Sequence, residues 1–323
     1  MHRRFRILLA TVVVAAATLT GAGTASAATY PNPGTVTGST DAHDPSIVKK
    51  SDGTYLLATT GDGITLKTSS DRTAFVAAGK AFPNGTSWAD DYTGGSATLW
   101  APDISYHGGK YLMYYAASTF GSNKSAIFLA SSTTGAAGTW TNYGKVIETS
   151  TSSTYNAIDP NLTVTSSGQW WLTFGSFWTG IKMVQLDSST GKPANSTIYN
   201  IAERFVNSKS VEAPFLFYHA GYYYLFMSFD FCCQGTASTY RTMVARSTSI
   251  TGPYKDRAGT LTTAGGGTEI LATHDSIYGP GHPAVFTDSD ADVLVYHYYN
   301  SSGTGKLGIN LLAWDSSAWP YVY

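Results

Sequence analysis

The sequence predicts an all-β fold, a five-bladed β-propeller, from three observations. Short runs rich in Thr, Tyr, Val, Phe and Trp are separated by Gly, Ser, Asn and Asp, a pattern typical of strands and turns. Almost no stretch has the periodicity of an amphipathic helix. A short segment, in which an acidic residue or His lies beside a Pro, occurs five times, each time before a turn and an aromatic-rich strand. This repeat favours a propeller over other all-β folds.

The N-terminus is typical of a secretory signal peptide. Arg3, Arg4 and Arg6 form a basic start, residues 7–19 are uncharged and mainly apolar, and Ala25-Ser26-Ala27 offers small residues for cleavage. An uncleaved membrane anchor is the alternative, but the apolar run is short for a bilayer. We therefore predict a signal peptide over residues 1–27, a single propeller domain over residues 28–323, and a secreted protein.

The charge balance excludes two classes of partner. The chain has 20 Lys and Arg against 21 Asp and Glu, and three of the arginines lie in the predicted signal peptide. Nucleic acids and anionic membranes are bound by concentrated basic patches, so neither is expected as a partner. Charged residues make up 13% of the chain and aromatic residues 14%. This suits a neutral polar ligand, although an aromatic-rich β core is an alternative explanation.

Each repeat places a Pro at the start of a predicted strand. These residues lie 54 to 69 positions apart and are Pro45, Pro102, Pro160, Pro214 and Pro283. Propeller blades have about 40 to 50 residues or more, so the spacing fits one blade per repeat. Pro lacks an N–H group and suits an innermost, edge strand, and the following turn and strand complete a hairpin. The alternative is a β-sandwich with coincidental spacing.

Four of the repeats carry a titratable side chain one or two positions before the Pro. If every blade starts at the propeller axis, Asp44, Asp159, Glu212 and His282 converge on one central cavity. Like charges at short range raise each other's pKa, and buried acids are rarely left unpaired. Such a costly cluster predicts a functional site.

The ordered motifs resemble glycoside hydrolase family 43. They are His43-Asp44-Pro45-Ser46, Trp100-Ala101-Pro102-Asp103-Ile104, Ala157-Ile158-Asp159-Pro160, Ser210-Val211-Glu212-Ala213-Pro214-Phe215 and Gly279-Pro280-Gly281-His282. Three further motifs resemble the arabinanase branch: Gly175-Ser176-Phe177-Trp178, Phe229-Asp230-Phe231-Cys232-Cys233 and Trp319-Pro320-Tyr321. The resemblance covers essentially all of residues 28–323.

The resemblance implies a role for each carboxyl group. Asp44 is the expected general base, Glu212 the general acid, and Asp159 the third carboxylate, which orients the acid and tunes its pKa. Glycoside hydrolysis requires one ionised and one protonated carboxyl at the same pH, and an ionised Asp159 would help to keep Glu212 protonated. The alternative is that each carboxyl only stabilises the turn at which its strand starts.

The resemblance also implies a metal site at His282, with a hydrated calcium ion on the axis. Calcium prefers oxygen ligands, so waters would supply most of its coordination. The alternative is that His282 only donates hydrogen bonds around the site.

A glycan cleft needs exposed aromatic rings on which sugar faces pack. Trp100, Phe120 and Trp178 lie in or after segments expected to face the cleft, and the resemblance favours Trp100 and Phe120 as stacking platforms. Most other aromatic residues are expected to pack between blades.

The resemblance implies an inverting endo-1,5-α-L-arabinanase whose substrate is arabinan, and we expect a monomer. One alternative is an exo-acting α-L-arabinofuranosidase or β-xylosidase with the same fold. An alternative of a different class is a non-catalytic sugar-binding propeller, which would not need three carboxyl groups at its axis.

The two cysteines of the chain, Cys232 and Cys233, are adjacent. An exported protein favours a disulfide between them, although neighbouring Cα atoms are closer than in most disulfides. Two free buried thiols are the alternative. Two ligands alone do not make a metal site.

Overall fold

The computed structural model describes residues 29–323, so the predicted signal peptide lies outside the described residues. Within this range the chain forms five β-sheets arranged as a five-bladed β-propeller, which confirms the predicted fold. The helical elements are one short helix, α1 (Asp90–Thr93), and 3₁₀ turns at Ser87–Ala89, Asn207–Lys209, Gly235–Ala237 and Thr262–Ala264. Among these residues no helix has the length and apolar character needed to span a membrane.

The strands of the described residues are numbered in chain order. They are β1 (Thr37–Gly38), β2 (Ser46–Lys49), β3 (Tyr55–Thr59), β4 (Gly61–Asp62), β5 (Thr65–Ser69), β6 (Ala74–Lys80), β7 (Thr98–His107), β8 (Lys110–Ala117), β9 (Ser125–Ser132), β10 (Thr141–Thr149), β11 (Asn161–Val164), β12 (Trp170–Phe174), β13 (Ile181–Asp187), β14 (Lys192–Pro193), β15 (Tyr199–Ala202), β16 (Val211–His219), β17 (Tyr222–Phe229), β18 (Arg241–Ser247), β19 (Thr268–Leu271), β20 (Tyr278–Thr287), β21 (Asp292–Tyr299), β22 (Gly305–Trp314) and β23 (Pro320–Val322).

Each blade is one sheet. The strand orders are β1-β6-β5-β3-β2, β10-β9-β8-β7-β4, β11-β12-β13-β14 with β15 also beside β13, β16-β17-β18-β19, and β20-β21-β22-β23. The five sequence repeats lie at the inner strands β2, β7, β11, β16 and β20, and each of these strands pairs antiparallel with the next strand of its own blade, as predicted. Each also contacts its counterpart in the next blade, so the five strands form a closed inner ring.

The hydrophobic core is divided among the five interfaces between blades. One cluster of buried residues lies at each interface, for example Tyr114 with Leu172 between blades two and three, and Tyr224 with Tyr296 between blades four and five. All four of these side chains are fully buried. Most of the buried aromatic rings therefore stabilise contacts between blades, as expected from the sequence.

The ring closes where the start of the described chain meets blade five. The amide N–H of Leu307 donates to Thr40 O at 2.8 Å, and that of Ala42 donates to Gly305 O at 3.2 Å. The buried carboxylate of Asp288 then accepts hydrogen bonds from blade one, including one from Arg72 at 2.6 Å. Backbone pairing and a buried ion pair thus hold the first and last blades together.

The residue before each repeated Pro has a left-handed backbone. The φ angles are 49° at Asp44, 46° at Ala101, 57° at Asp159, 53° at Ala213 and 55° at His282. This region is rare for residues other than glycine and costs about 1–3 kcal/mol at each position. In blades two, four and five the Pro lies within the inner strand, at a β-bulge, rather than at its start. The bulge changes the direction of the side chain of the residue before the Pro.

The preceding blade supports four of these strained residues. Its side chains accept the backbone N–H groups, in the pairs Ala101 to Thr60 Oγ1 (2.8 Å), Ala213 to Asp159 Oδ2 (3.1 Å), His282 to Ser228 Oγ (2.9 Å) and Asp44 to His297 Nδ1 (3.1 Å). Contacts between blades therefore stabilise the strained backbone. The conformation of this backbone sets the directions of the side chains at the axis.

Candidate active site

The inner ring brings the four predicted site residues together. Asp44, Asp159 and His282 occupy equivalent positions, directly before the Pro. Glu212 lies one residue earlier in its repeat, because Ala213 takes the position before Pro214. All four side chains influence one another electrostatically. The cavity therefore combines three carboxyl groups with one imidazole.

Asp44 lies among histidines. Its Oδ1 is 3.0 Å from His282 Nδ1, its Oδ2 is 3.0 Å from His43 Nδ1, and Thr60 Oγ1 donates to Oδ2 at 2.6 Å. Burial alone would raise the pKa of Asp44. The positive charges and hydrogen bonds of His43 and His282 outweigh burial and hold that pKa well below its usual range. Asp44 is therefore ionised over the whole neutral range.

A third histidine, His297, lies beside Asp44 but remains neutral. It is fully buried, and burial and the nearby charge of His43 lower its pKa well below the usual value. Its Nδ1 accepts the N–H of Asp44, so the ring proton is on Nε2. His297 therefore orients the backbone of Asp44 without adding charge.

Glu212 has the opposite environment. The Ser176 hydroxyl donates to its Oε2. Burial raises the pKa of Glu212, and the charge of Asp44 adds to this, while Ser176, Tyr240 and His282 lower it in part. The net pKa is above that of an ordinary glutamate, which favours a protonated acid.

Asp159 has both an electrostatic and a structural function. Its Oδ2 accepts the N–H of Ala213, so it holds the backbone next to Glu212. Burial raises its pKa well above the usual value, and the charges of Glu212 and Asp44 raise it further, although His282 lowers it. This differs from the expectation of an ionised Asp159, because a fully desolvated carboxyl beside two others retains its proton.

His282 has the donor chemistry of a metal ligand. Its Nδ1 faces Asp44, which leaves Nε2 as the other ring nitrogen, and metal-binding histidines commonly donate their second N–H to a carboxylate. Burial lowers the pKa of His282, but Asp44, Asp159 and Glu212 outweigh burial and raise it to about 9. A cation would therefore have to replace a proton. The residues fit a hydrated ion that has one protein ligand.

The three predicted aromatic residues differ in position. Trp100 is half-buried and directly precedes Ala101, whose N–H binds the same Thr60 hydroxyl that contacts Asp44. Trp178 is half-buried in the turn that also contains Ser176. Phe120 is 81% exposed in the loop between β8 and β9, and no ring or hydrogen-bond contact joins it to the carboxyl groups within residues 29–323.

The structure adds site residues that the sequence analysis did not single out. They are His43, Thr60, Ser176, Tyr240, His297 and Tyr299. Two of them lay within quoted motifs, His43 beside Asp44 and Ser176 before Trp178. His297 and Tyr299 were detectable only as alternate residues, which share one face of strand β21.

Cys232 and Cys233 form a disulfide, which decides between the two alternatives for these residues. The backbone N–H of Cys233 donates to Tyr299 Oη at 2.9 Å, and Cys233 Sγ lies 3.6 Å from His43 Nε2. The disulfide therefore borders the histidines around Asp44.

Comparisons with known proteins identify the family of this chain. The model of the glycosyl hydrolases family 43 matches residues 32–320. An extracellular endo-α-(1→5)-L-arabinanase from Bacillus subtilis is 45% identical over 284 residues, which cover 86% of each chain. The solved structure of the family 43 endo-arabinanase from Bacillus licheniformis has a TM-score of 0.83 and 44% identity, covering 89% of this chain and 99% of that one.

An exo-acting relative is also similar. The exo-1,5-α-L-arabinanase from a bovine ruminal metagenomic library has a TM-score of 0.83 and 38% identity, covering 88% of this chain and 97% of its own. Endo- and exo-acting enzymes thus share this fold. The family model and the identities establish what the sequence motifs predicted: the chain is a glycoside hydrolase and belongs to family 43.

Proposed function

We propose that the protein is a secreted endo-1,5-α-L-arabinanase that cleaves arabinan with inversion of anomeric configuration. The relatives named above act on arabinan, and the Bacillus subtilis protein is described as extracellular. Exo action is the second candidate, because an exo-arabinanase is structurally as similar as the endo-acting enzyme.

The observation that carries the proposal is the opposite shift of two buried carboxyl pKa values. The pKa of Asp44 is lowered and that of Glu212 is raised. At neutral pH one group can therefore accept a proton while the other can donate one. Acid–base hydrolysis of a glycoside needs this pairing.

In the proposed mechanism, Glu212 protonates the leaving glycosidic oxygen as the bond to the sugar carbon breaks. Asp44 takes a proton from a water on the opposite face of the ring, and that water forms the new bond. Asp159 orients the Glu212 segment through the Ala213 N–H. Inversion requires space for this water, so we expect a separation of about 6.5–9.5 Å between the Asp44 and Glu212 carboxyls in a substrate complex.

His282 is proposed to bind a hydrated calcium ion through Nε2. The ion would supply positive charge near the three carboxyls, which favours ionised Asp44. His282 must lose a proton to bind it, so acidification should weaken binding. In this proposal the protein residues carry out the proton transfers, and the ion sets the electrostatic background.

The test is product analysis with linear arabinan as the substrate. Early release of mixed oligosaccharides would support endo action, and release of arabinose alone would replace it with exo action. Binding without products would instead indicate a sugar-binding propeller. Proton NMR of the first products should show inverted configuration, and retained configuration would contradict the mechanism.

A further inference from the structure

A chain of contacts connects the disulfide loop to Asp44. The N–H of Cys233 donates to Tyr299 Oη at 2.9 Å, and Tyr299 Oη lies 3.0 Å from His43 Nε2. His43 Nδ1 in turn lies 3.0 Å from Asp44 Oδ2. The chain links blade four, blade five and blade one, and no step of the proposed mechanism uses its outer part.

The chemistry of these groups decides which atoms meet. A carboxylate oxygen has only lone pairs, so the His43 nitrogen that faces Asp44 carries a proton. His43 Nε2 is then the ring nitrogen that shares a hydrogen bond with Tyr299 Oη, and Tyr299 Oη also accepts the Cys233 N–H. His43 Nδ1 and Asp44 Oδ2 form a charge contact at 3.0 Å without hydrogen-bond geometry, so the tilt of the His43 ring decides how they meet.

The groups of the chain are held in place from several sides. Tyr299 is buried, and the His43 ring is stacked on His297 with ring centroids 4.0 Å apart. Cys233 has a φ of 67°, in the left-handed region. The covalent ring formed with Cys232 restricts the backbone at this position. The disulfide therefore aims the Cys233 N–H at Tyr299.

We propose that Tyr299 and the Cys232–Cys233 loop are positioning elements that orient Asp44 through His43. The inference rests on the proposed role of Asp44 as the base. Tyr299 fixes the ring plane of His43, which holds one carboxylate oxygen of Asp44 and leaves the carboxylate aligned towards the attacking water. Neither Tyr299 nor the disulfide takes part in proton transfer.

The test compares Tyr299→Phe with Tyr298→Phe, which removes a hydroxyl from the opposite face of the same strand. One lost hydrogen bond corresponds to about three- to tenfold in rate. We expect Tyr299→Phe to lower kcat on arabinan by this factor with KM unchanged, and Tyr298→Phe to match the wild type. Equal kcat in all three proteins, or equal losses in both variants, would overturn the proposal.

A Cys232→Ser/Cys233→Ser variant tests whether the disulfide loop acts through Tyr299. We expect a smaller loss of kcat in the same direction, and little additional loss when it is combined with Tyr299→Phe, because both changes interrupt one chain. Fully additive losses, or no loss from the serine variant, would show that the loop does not act through Tyr299.

A spectroscopic measurement separates this inference from the proposed function. In ¹⁵N-histidine-labelled protein, the His43 Nε2 signal, assigned by its absence in His43→Gln, should report a hydrogen-bonded nitrogen. Tyr299→Phe should shift this signal to the position of an unbonded nitrogen, whereas Tyr298→Phe should not. An unchanged signal overturns the inference even if arabinan is cleaved, and a changed one supports it even if arabinan is not the substrate.

Discussion

The two sides of the axial cavity treat a buried carboxyl group in opposite ways. On the histidine side, His43, His282 and His297 surround Asp44, and its pKa is lowered. On the carboxyl side, Glu212 and Asp159 lie together with Ser176 and Tyr240, and both carboxyl pKa values are raised. Burial favours the neutral acid on both sides. The neighbours therefore decide which group acts as base and which as acid.

His282 connects the two sides. It contacts Asp44 directly, and its own pKa is raised to about 9 by the carboxyl groups of both sides. A positive charge at this position stabilises ionised Asp44 most strongly because it is nearest. The difference between the sides thus depends on the distance of each carboxyl group from the imidazoles of His43 and His282.

The largest expected effects come from neutralising one carboxyl on each side. Asp44→Asn and Glu212→Gln should each lower kcat by about 10²–10⁴-fold, because each removes a positioned proton transfer. Both should keep the wild-type melting temperature to within a few degrees. An aryl arabinooligosaccharide, whose leaving group needs no proton, should restore activity to Glu212→Gln only. Restoration of both variants, or of neither, would contradict the assigned roles.

A smaller effect is expected at Asp159, where charge and hydrogen bonding can be separated. Asp159→Ala removes the acceptor for the Ala213 N–H and should lower kcat by about 10²-fold, a typical cost of misplacing a catalytic group. Asp159→Asn keeps an acceptor oxygen and should retain more activity. Steady-state kinetics of both variants decide this point. Equal losses would show that titration of Asp159, and not its hydrogen bond, is what matters.

Removing the proposed calcium ion should have a more moderate effect. Chelation of the wild type should lower kcat on the order of tenfold or lower the melting temperature, and added calcium should restore either loss. His282→Ala should be impaired from the outset and insensitive to chelator. Elemental analysis provides the control for an ion that is held too tightly to remove. If the wild-type protein contains no metal and is insensitive to chelator, His282 acts only as a hydrogen-bonding cation.

The smallest change expected is a shift in pH dependence at Ser176. Its hydroxyl stabilises ionised Glu212, so Ser176→Ala should raise the pKa of Glu212 further. Glu212 must be protonated to act, so the alkaline limb of the kcat profile should move to higher pH, by about one unit for one lost hydrogen bond to a charged group. Ser105→Ala, whose hydroxyl has no partner within residues 29–323, is the matched control. A shift to lower pH in Ser176→Ala would contradict the role of Glu212 as the acid.

Much of the architecture was predictable because the repeat is local. Each inner hairpin contains its own Pro, turn and aromatic strand, as in Pro160 followed by Ser167-Gly168 and Trp170–Phe174. Five such units can bury their faces only against each other, which leads to a ring. The same argument located Asp44, Asp159 and His282 at the axis, because they occupy equivalent positions in equivalent units.

The details of the backbone at those positions were not predictable from the pattern. A Pro at the start of a strand and a Pro within a bulge have the same sequence pattern. In the structure, Pro102, Pro214 and Pro283 lie within strands. The offset of Glu212 by one residue could be read from the sequence. The direction of the Glu212 side chain could not, because it depends on the left-handed turn that the neighbouring blade stabilises.

The sequence by itself therefore determined the number of blades and which carboxyl groups meet, because both follow from local repeats placed around an axis. Only the tertiary structure decided their protonation. The pKa of each carboxyl depends on groups from distant segments, such as His282 near Asp44 and Ser176 beside Glu212. Electrostatic interactions depend on distances of a few ångströms in a buried, low-dielectric environment, and no spacing along the chain encodes those distances.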